Sequence, residues 1–505
     1  MNRILDFIIT TLFLCGFLIL TSCTSSKKVF DPYKKFSAQQ LQEDYTIYRN
    51  ILEERHPSLY WYTPKTLMDK AFDNAKEQLN DSLTEYEFRK VLIRVNTQIQ
   101  CGHTSVKASK KYLKYIDTVK AKTQFPLYVK VWKDTIVVVH NIYKNDTMLV
   151  RGTIIDSLNG IATKALLDTM YHYITADGNN SVAKNQTLST GTWLGSLYTS
   201  LYGWKQKYYI AYHKLGDTIV HTVLQPVKTP ADTVTKKGKT TIVKKAKKNK
   251  KEAIQKARHL TFDEDGATAF MELNSFSEKL QIKKFFRNSF RQLKKHDVQN
   301  LIIDLRRNSG GRVSNSNLLT KYLVQKPFKL SDSLYAKTRK SNYGRYIEHD
   351  KASRLAMVFL TRKEESRYHF RYYEKHFFKP RQKNHFSGNV YILSGGNSFS
   401  ASTLVMSVLK PQENVTIVGE PSGGAAYGNT AWFIPEVTLP NTKVRLRLPL
   451  FRLVINKELP HNGQGVLPEI YVGPDIENII KGTDYKMEKV KEIIHTLENK
   501  TKETL

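Results

Sequence analysis

The sequence predicts an α/β domain behind a helical N-terminal subdomain and a β-rich module, and three patterns carry that prediction. From Ala267 onward, strand-like apolar runs at 267–272, 299–304, 388–393 and 414–418 alternate with helical stretches at 277–294, 313–324 and 400–409. Such alternation is the signature of βαβ units with parallel strands. Earlier, Leu41, Tyr45, Tyr48 and Leu52, then Phe88, Val91, Leu92 and Val95, recur at three- and four-residue steps, the period of an amphipathic helix. Between these regions, Pro126–Trp132 and part of Thr135–Val139 alternate apolar and polar residues as half-buried strands do.

The chain begins as an exported protein would. Arg3 precedes an apolar run from Ile8 to Leu20, too short to span a bilayer comfortably, and the run ends in Leu20-Thr21-Ser22-Cys23. This resembles a bacterial lipobox. The resemblance implies a signal peptide over 1–22, lipidation of Cys23, a tether over 23–36 and a place in the cell envelope, held to a bacterial membrane by lipid and facing the periplasm or the surface. Cys15 would leave with the signal, so Cys101 is the one thiol left and no intrachain disulfide forms in the mature chain.

The helical subdomain is expected over 37–120, interrupted at His56-Pro57 because proline disfavours helix in the residue before it. The β-rich module follows over 121–227. In it the strand Gly152–Leu158, the Asn159-Gly160 turn and a helix from about Thr163, with Thr163 as N-cap, resemble the core of a PDZ domain. Residues 228–262 form a basic insertion. Between 228 and 258 there are twelve Lys or Arg against Asp232 and Glu252, a net of 12 − 2 = +10. The reading is a solvated linker, with contact to an anionic envelope surface as the sharper alternative. The whole chain carries 79 Lys+Arg against 46 Asp+Glu. No aromatic residues interleave the basic run, so nucleic acid is not expected as a partner. Residues 335–385, basic and aromatic, have no clear place in this scheme. A catalytic domain over 263–480 and a C-terminal helix over 481–505 complete the chain.

Three distant segments offer the parts of a hydrolytic site. Ser400, in Asn397–Ser402, falls where a strand gives way to a helix, and the helix N-terminus supplies free N–H groups and a positive dipole. Ser398 and Ser402 would qualify as well, and serine also caps helices routinely. Gly310-Gly311 follow the buried strand before Asp304-Leu305-Arg306, so backbone N–H groups can approach a ligand there. If the two strands are neighbours, Gly310 or Gly311 and Ala401 converge on one oxyanion. His103, in Cys101-Gly102-His103-Thr104, is a candidate general base.

Asp304-Leu305-Arg306 with Asn308 and paired glycines, Ser398-Phe399-Ser400-Ala401, Ile417–Pro421 and Gly465–Ile470 together resemble the C-terminal-processing (tail-specific) and tricorn-like serine peptidases, over roughly 265–475. The resemblance implies ClpP/crotonase-like βαβ units, Ser400 as nucleophile, an oxyanion hole from Gly310, Gly311 and Ala401, protein or peptide substrates, and no cofactor or metal. The tail-specific branch places its lysine base where this chain has Ala425. The tricorn-like branch uses a histidine that His103 matches. The serine that precedes that histidine is replaced by Gly102, and a frequent glutamate three residues past the nucleophile by Thr403. For the orienting partner, Thr104, Glu458 and Glu469 are the candidates, because His461-Asn462-Gly463 stand where relatives often have a glutamate. Those departures motivate an alternative, a silent member of the same fold that binds peptides or an apolar ligand. An adhesin-like lipoprotein using its basic face is a further reading.

Overall fold

The structure, a computed structural model, describes residues 30–119, 123–228 and 251–504. The export segment, Cys23 and most of the basic insertion lie outside the described residues.

Strands Thr268–Leu273, Asn300–Asp304, Asn389–Ser394, Val415–Gly419 and Ile470–Tyr471 form one parallel sheet, with Arg258–Phe262 antiparallel on its edge. Each predicted strand is present within a residue or two. The central strand Asn300–Asp304 is buried throughout, as a parallel strand covered on both faces must be. Helices Ile282–Lys295, Val313–Leu323 and Ala401–Leu409 cover one face and share its apolar core. On the other face, Val490 and Ile494 of the C-terminal helix Tyr485–Thr504 pack on Ile302, Tyr391, Leu393 and Val418. Asp304 pairs in register with Leu393, which brings the glycine turn and the serine segment to one edge. In open sheets of this kind ligands bind at that edge, beyond the strands' carboxyl ends.

The motif Asp304-Leu305-Arg306 has a structural role. Arg306 Nη2 donates to Asp304 Oδ2 and to Asp484 Oδ2, both at 2.7 Å, tying the sheet to the C-terminal helix. A second buried joint lies beside it. Lys486 Nζ donates to Glu420 Oε2 at 2.8 Å and to the Ser394 carbonyl at 2.9 Å, and Lys130 of the β-rich module reaches the same Glu420 oxygen at 3.5 Å.

The N-terminal helices Ala38–Arg55, Lys65–Glu77 and Glu85–Gln98 form as the periodicity predicts. Ser37 and Thr84 close two of them with capping boxes, and the first ends at His56 before Pro57. They do not make a core of their own. Leu41, Tyr48, Phe72 and Leu92 share one apolar cluster with Leu334, Ala336, Phe370, Phe451 and Leu453. All of those partners but Phe370, which directly follows one of its strands, belong to a second sheet, Arg362–Glu364, Arg367–His369, Ser333–Ala336, Phe451–Val454 and Gly428–Trp432. The unplaced stretch 335–385 therefore supplies the floor on which the helical front packs. The expected tether also ends earlier than residue 36. Phe30 packs on the Tyr112 and Tyr115 rings, and Lys35–Phe36 pairs with Leu83–Thr84.

Residues 123–228 form an antiparallel sheet with helices Thr163–Tyr171, Ser181–Leu188 and Trp193–Tyr202 around a separate core. Asn159 and Gly160, at φ of 50° and 78°, make the expected hairpin turn between Ile154–Leu158 and Ile161–Ala162. Thr163 is not the N-cap. Ala162 holds that position, and the Thr163 hydroxyl donates to the Ile155 carbonyl.

Candidate active site

Ser400 stands immediately before helix Ala401–Leu409 with φ of 56° and ψ of −114°, a backbone conformation that a residue with a Cβ rarely adopts. Its side chain does not cap the helix, which removes the routine explanation for a serine here. The neighbouring serines are both occupied and fully buried. Ser398 Oγ donates to the Leu305 carbonyl and Ser402 Oγ to the Asn308 carbonyl, each at 2.8 Å. Ser400 is half-buried, and its hydroxyl forms no hydrogen bond. Of the three serines it alone has a hydroxyl free to react.

The glycine turn is built around that serine. Gly310 has φ of 101°, and a Cβ there would lie 2.8 Å from Ser400 Cβ and 3.0 Å from the Ala401 nitrogen. Only glycine lets the turn come this close. The Gly310 N–H, however, donates to Asn308 Oδ1 at 2.9 Å, so the expectation that it faces an oxyanion is corrected. The Asn308 side chain consumes it within its own turn. Neither the Gly311 nor the Ala401 N–H has a hydrogen-bond partner among the described residues. Gly424 approaches from a third side, where an added Cβ would sit 2.3 Å from Thr403 Oγ1 and 3.2 Å from the Ser400 nitrogen.

Residues 267–472 match peptidase family S41. The fold is similar to that of mature CPAF, with a TM-score of 0.63 and 15% identity over 92% of this chain and 98% of that one. It is similar also to mature CPAF complexed with lactacystin, with a TM-score of 0.61 and 15% identity over 92% and 99%. Tricorn protease aligns at a TM-score of 0.40 and 12% identity, over 91% of this chain and 37% of that one. Among curated proteins none matches the chain. Ser400 lies inside the stretch that matches this peptidase family.

His103 reaches the S41 domain from outside the matched range. Its turn is followed by strand Ser105–Lys107, which pairs with Arg445–Arg447 of that domain. The ring stacks on Phe399, the residue before Ser400, with centroids 4.6 Å apart. Both ring nitrogens are buried and without hydrogen bonds, and burial together with Arg447 pushes the pKa down to about 3. His103 is thus neutral and beside the serine segment, but not hydrogen-bonded to Ser400. The Phe399 ring also explains Gly102. A Cβ at Gly102 would meet Phe399 Cζ at 2.7 Å, so there is no room for the serine that the tricorn-like pattern places there.

None of the expected orienting residues reaches the His103 ring. Thr104 Oγ1 lies 2.7 Å from His56 Nε2 and donates to Cys101 Sγ at 3.0 Å, which fixes the turn instead. Ser58 N–H donates to His56 Nδ1, so the His56 proton sits on Nε2 and points at Thr104. Glu469 accepts from the Ile417 N–H and pairs with Lys410. Glu458 is exposed on a loop. His461 does not supply the missing acid either, since its ring lies among Trp61, Tyr62 and Tyr427.

Two residues near the site escaped the sequence reading. In the sequence Phe399 is only part of the serine segment, because an apolar side chain carries no chemical mark of a role. Asp177, 2% exposed, accepts from the Gly102 N–H at 2.9 Å and the Ala425 N–H at 3.4 Å. Its one visible signal was the Asp177-Gly178 turn dipeptide. Among the described residues no cluster of histidine, cysteine or carboxylate side chains could hold a metal, and no helix is long and apolar enough to cross a membrane.

Proposed function

We propose that this chain is a lipid-anchored serine peptidase of the cell envelope that cleaves protein or peptide substrates through an acyl-enzyme at Ser400. The observation that carries this is the Ser400 hydroxyl, unbonded on a strained backbone at a helix N-terminus, between two serines whose hydroxyls are consumed.

In the proposed reaction His103 takes the Ser400 proton as the oxygen attacks a peptide carbonyl carbon. The carbonyl oxygen becomes an oxyanion held by the Ala401 and Gly311 N–H groups, at the positive end of helix Ala401–Leu409. Collapse expels the amine, which receives the proton from His103, and water then cleaves the ester by the same steps. A neutral imidazole is the form that can accept a proton. For it to do so, the Phe399 ring must slide off the His103 ring when substrate enters. Burial strongly disfavours imidazolium, so substrate entry must also bring polar groups to the ring. The parallel sheet would be a ClpP/crotonase-like unit. The β-rich module would act as a PDZ-like domain and add an extended peptide to a sheet edge. Cys23 would carry the lipid, and 228–258 would meet anionic envelope surface.

A fluorophosphonate probe tests the central claim. Purified protein should take the label, Ser400→Ala should take none, and His103→Ala should react much more slowly. Wild-type protein that neither labels nor cleaves unfolded substrate would leave a binding protein of the same fold. Labelling that survives Ser400→Ala would place the nucleophile elsewhere. For the insertion, deletion of 228–258 should weaken binding to anionic vesicles and leave labelling intact.

A further inference from the structure

The loop that carries His103 is held by a residue from neither the S41 domain nor the helical front. Asp177 follows helix Thr163–Tyr171 of the β-rich module, and its side chain is buried. One carboxylate oxygen accepts from Gly102, directly before His103, and the other from Ala425, in the loop that passes Ser400. The adjoining residues continue the clasp. The Gly178 N–H donates to the Gln100 carbonyl at 2.9 Å, and Asn180 Nδ2 donates to the Ser422 and Gly423 carbonyls at 3.1 and 3.3 Å. Gly424, next in that loop, is the residue packed against the Ser400 nitrogen.

Such a placement is costly. Burying a carboxylate away from water disfavours its charged form, and its pKa is pushed up to about 6. A neutral side chain could fill the space, so the charge calls for a reason beyond packing. Charge-assisted bonds to backbone N–H groups are shorter and stronger than neutral ones, and they fix a loop with more precision. The His103 ring stacks on Phe399 but neither of its nitrogens makes a hydrogen bond, so no polar side chain orients it and the restraint of its turn falls to the backbone.

We propose that Asp177 is the positioning residue of the candidate site: its carboxylate clamps the Gly102 and Ala425 N–H groups and thereby fixes the His103 turn relative to Ser400. It touches neither substrate nor the reacting atoms. The effect on turnover rests on the serine-peptidase reading above, whereas the clamp does not. Arg452 favours the ionised form of Asp177, and Tyr62 and Cys101 are the other titratable groups that feel its charge. Below about pH 6 the carboxyl gains a proton and the clamp loses one acceptor.

The test uses the purified wild-type chain with Asp177→Asn and Asp177→Ala. Asparagine keeps the shape and one acceptor, but it turns an N–H donor toward the second amide. Hydrogen exchange should accelerate at 100–104 and 422–426 in both variants, more in the alanine one, while 269–273 stays protected. The fluorophosphonate labelling rate should fall about tenfold to a hundredfold, with KM for a peptide substrate within about twofold of wild type. The ratio of wild-type to Asp177→Asn rates should shrink as pH falls through 6, because the wild type then loses what the variant lacks. Unchanged exchange at 100–104 and 422–426 in Asp177→Ala would overturn the clamp whatever the activity. Faster exchange with an unaltered labelling rate and pH ratio would overturn the positioning role. If wild type takes no label but exchange still responds, the peptidase reading fails, the clamp stands and its catalytic purpose falls.

Discussion

At the scale of single residues, the site is set by which groups are consumed and which are left over. Ser398, Ser402 and the Gly310 N–H are spent on internal hydrogen bonds, and Ser400, Ala401 and Gly311 remain. Because Gly310 approaches Ser400 at a left-handed φ, Gly310→Ala should cost about 1–3 kcal/mol in stability and abolish fluorophosphonate labelling, as a denaturant titration and a labelling gel would show. Phe399 has a comparable role. Phe399→Ala should open room at Gly102, and Gly102→Ser should then be tolerated in that background while it destabilises the wild type; thermal melts of the two single variants and the double variant would read the difference. Protonation acts at this scale too. His56 and His103 are buried with pKa values near 3, against 6.5 when exposed. Between pH 6.5 and 3 the unfolded chain therefore binds more protons at both groups, and stability falls on acidification by up to about 1.4 kcal/mol per pH unit for each. Asp177 works the other way. Its raised pKa lets the folded state hold an extra proton between 3.8 and about 6, which offsets one histidine in that window. The melting temperature should drop from pH 6.5 to 4, and less steeply in His103→Asn.

At the scale of elements, the C-terminal helix Tyr485–Thr504 seals one face of the catalytic sheet and brings Lys486 to Glu420. Lys486 is 4% and Glu420 8% exposed, so removing Glu420 leaves the Lys486 ammonium buried without an anionic partner. Glu420→Gln should cost about 3–5 kcal/mol, and Glu420→Leu combined with Lys486→Met should recover much of it. Urea midpoints of the single and double variants check this. The helix that follows Ser400 shows how local rules yield to tertiary ones. A serine before Ala401–Leu409 should be its N-cap, yet the hydroxyl makes no capping bond and the backbone is strained instead. Strain at this point aims the side chain away from its own helix.

At the scale of the whole molecule, the site is assembled by three parts that differ in independence. The β-rich module 123–228 encloses its own core, whereas the N-terminal helices borrow theirs from the sheet of 333–454. An isolated 123–228 fragment should unfold cooperatively, and an isolated 30–119 fragment should not; far-UV melts with denaturant would separate them. The parallel strands, their intervening helices and the two signature loops were legible in the sequence because each rests on local periodicity or on a glycine turn. Residues 335–385 were not, since their partners lie in Leu41–Leu92 and carry no local mark of it. The same limit hid Asp177, which reads as a turn residue until its distance from Gly102 and Ala425 is known.

The sequence by itself determined the catalytic sheet, the place of Ser400 at its strand ends and the histidine that approaches it, because hydrophobic period and signature segments are written along the chain. Only the tertiary structure decided which serine is free, which glycine N–H is spent, that Phe399 rather than a hydrogen bond meets His103, and that a carboxylate of another module holds the histidine turn. Those outcomes depend on contacts between residues tens to hundreds of positions apart, where burial and hydrogen-bond satisfaction, not local propensity, select the arrangement.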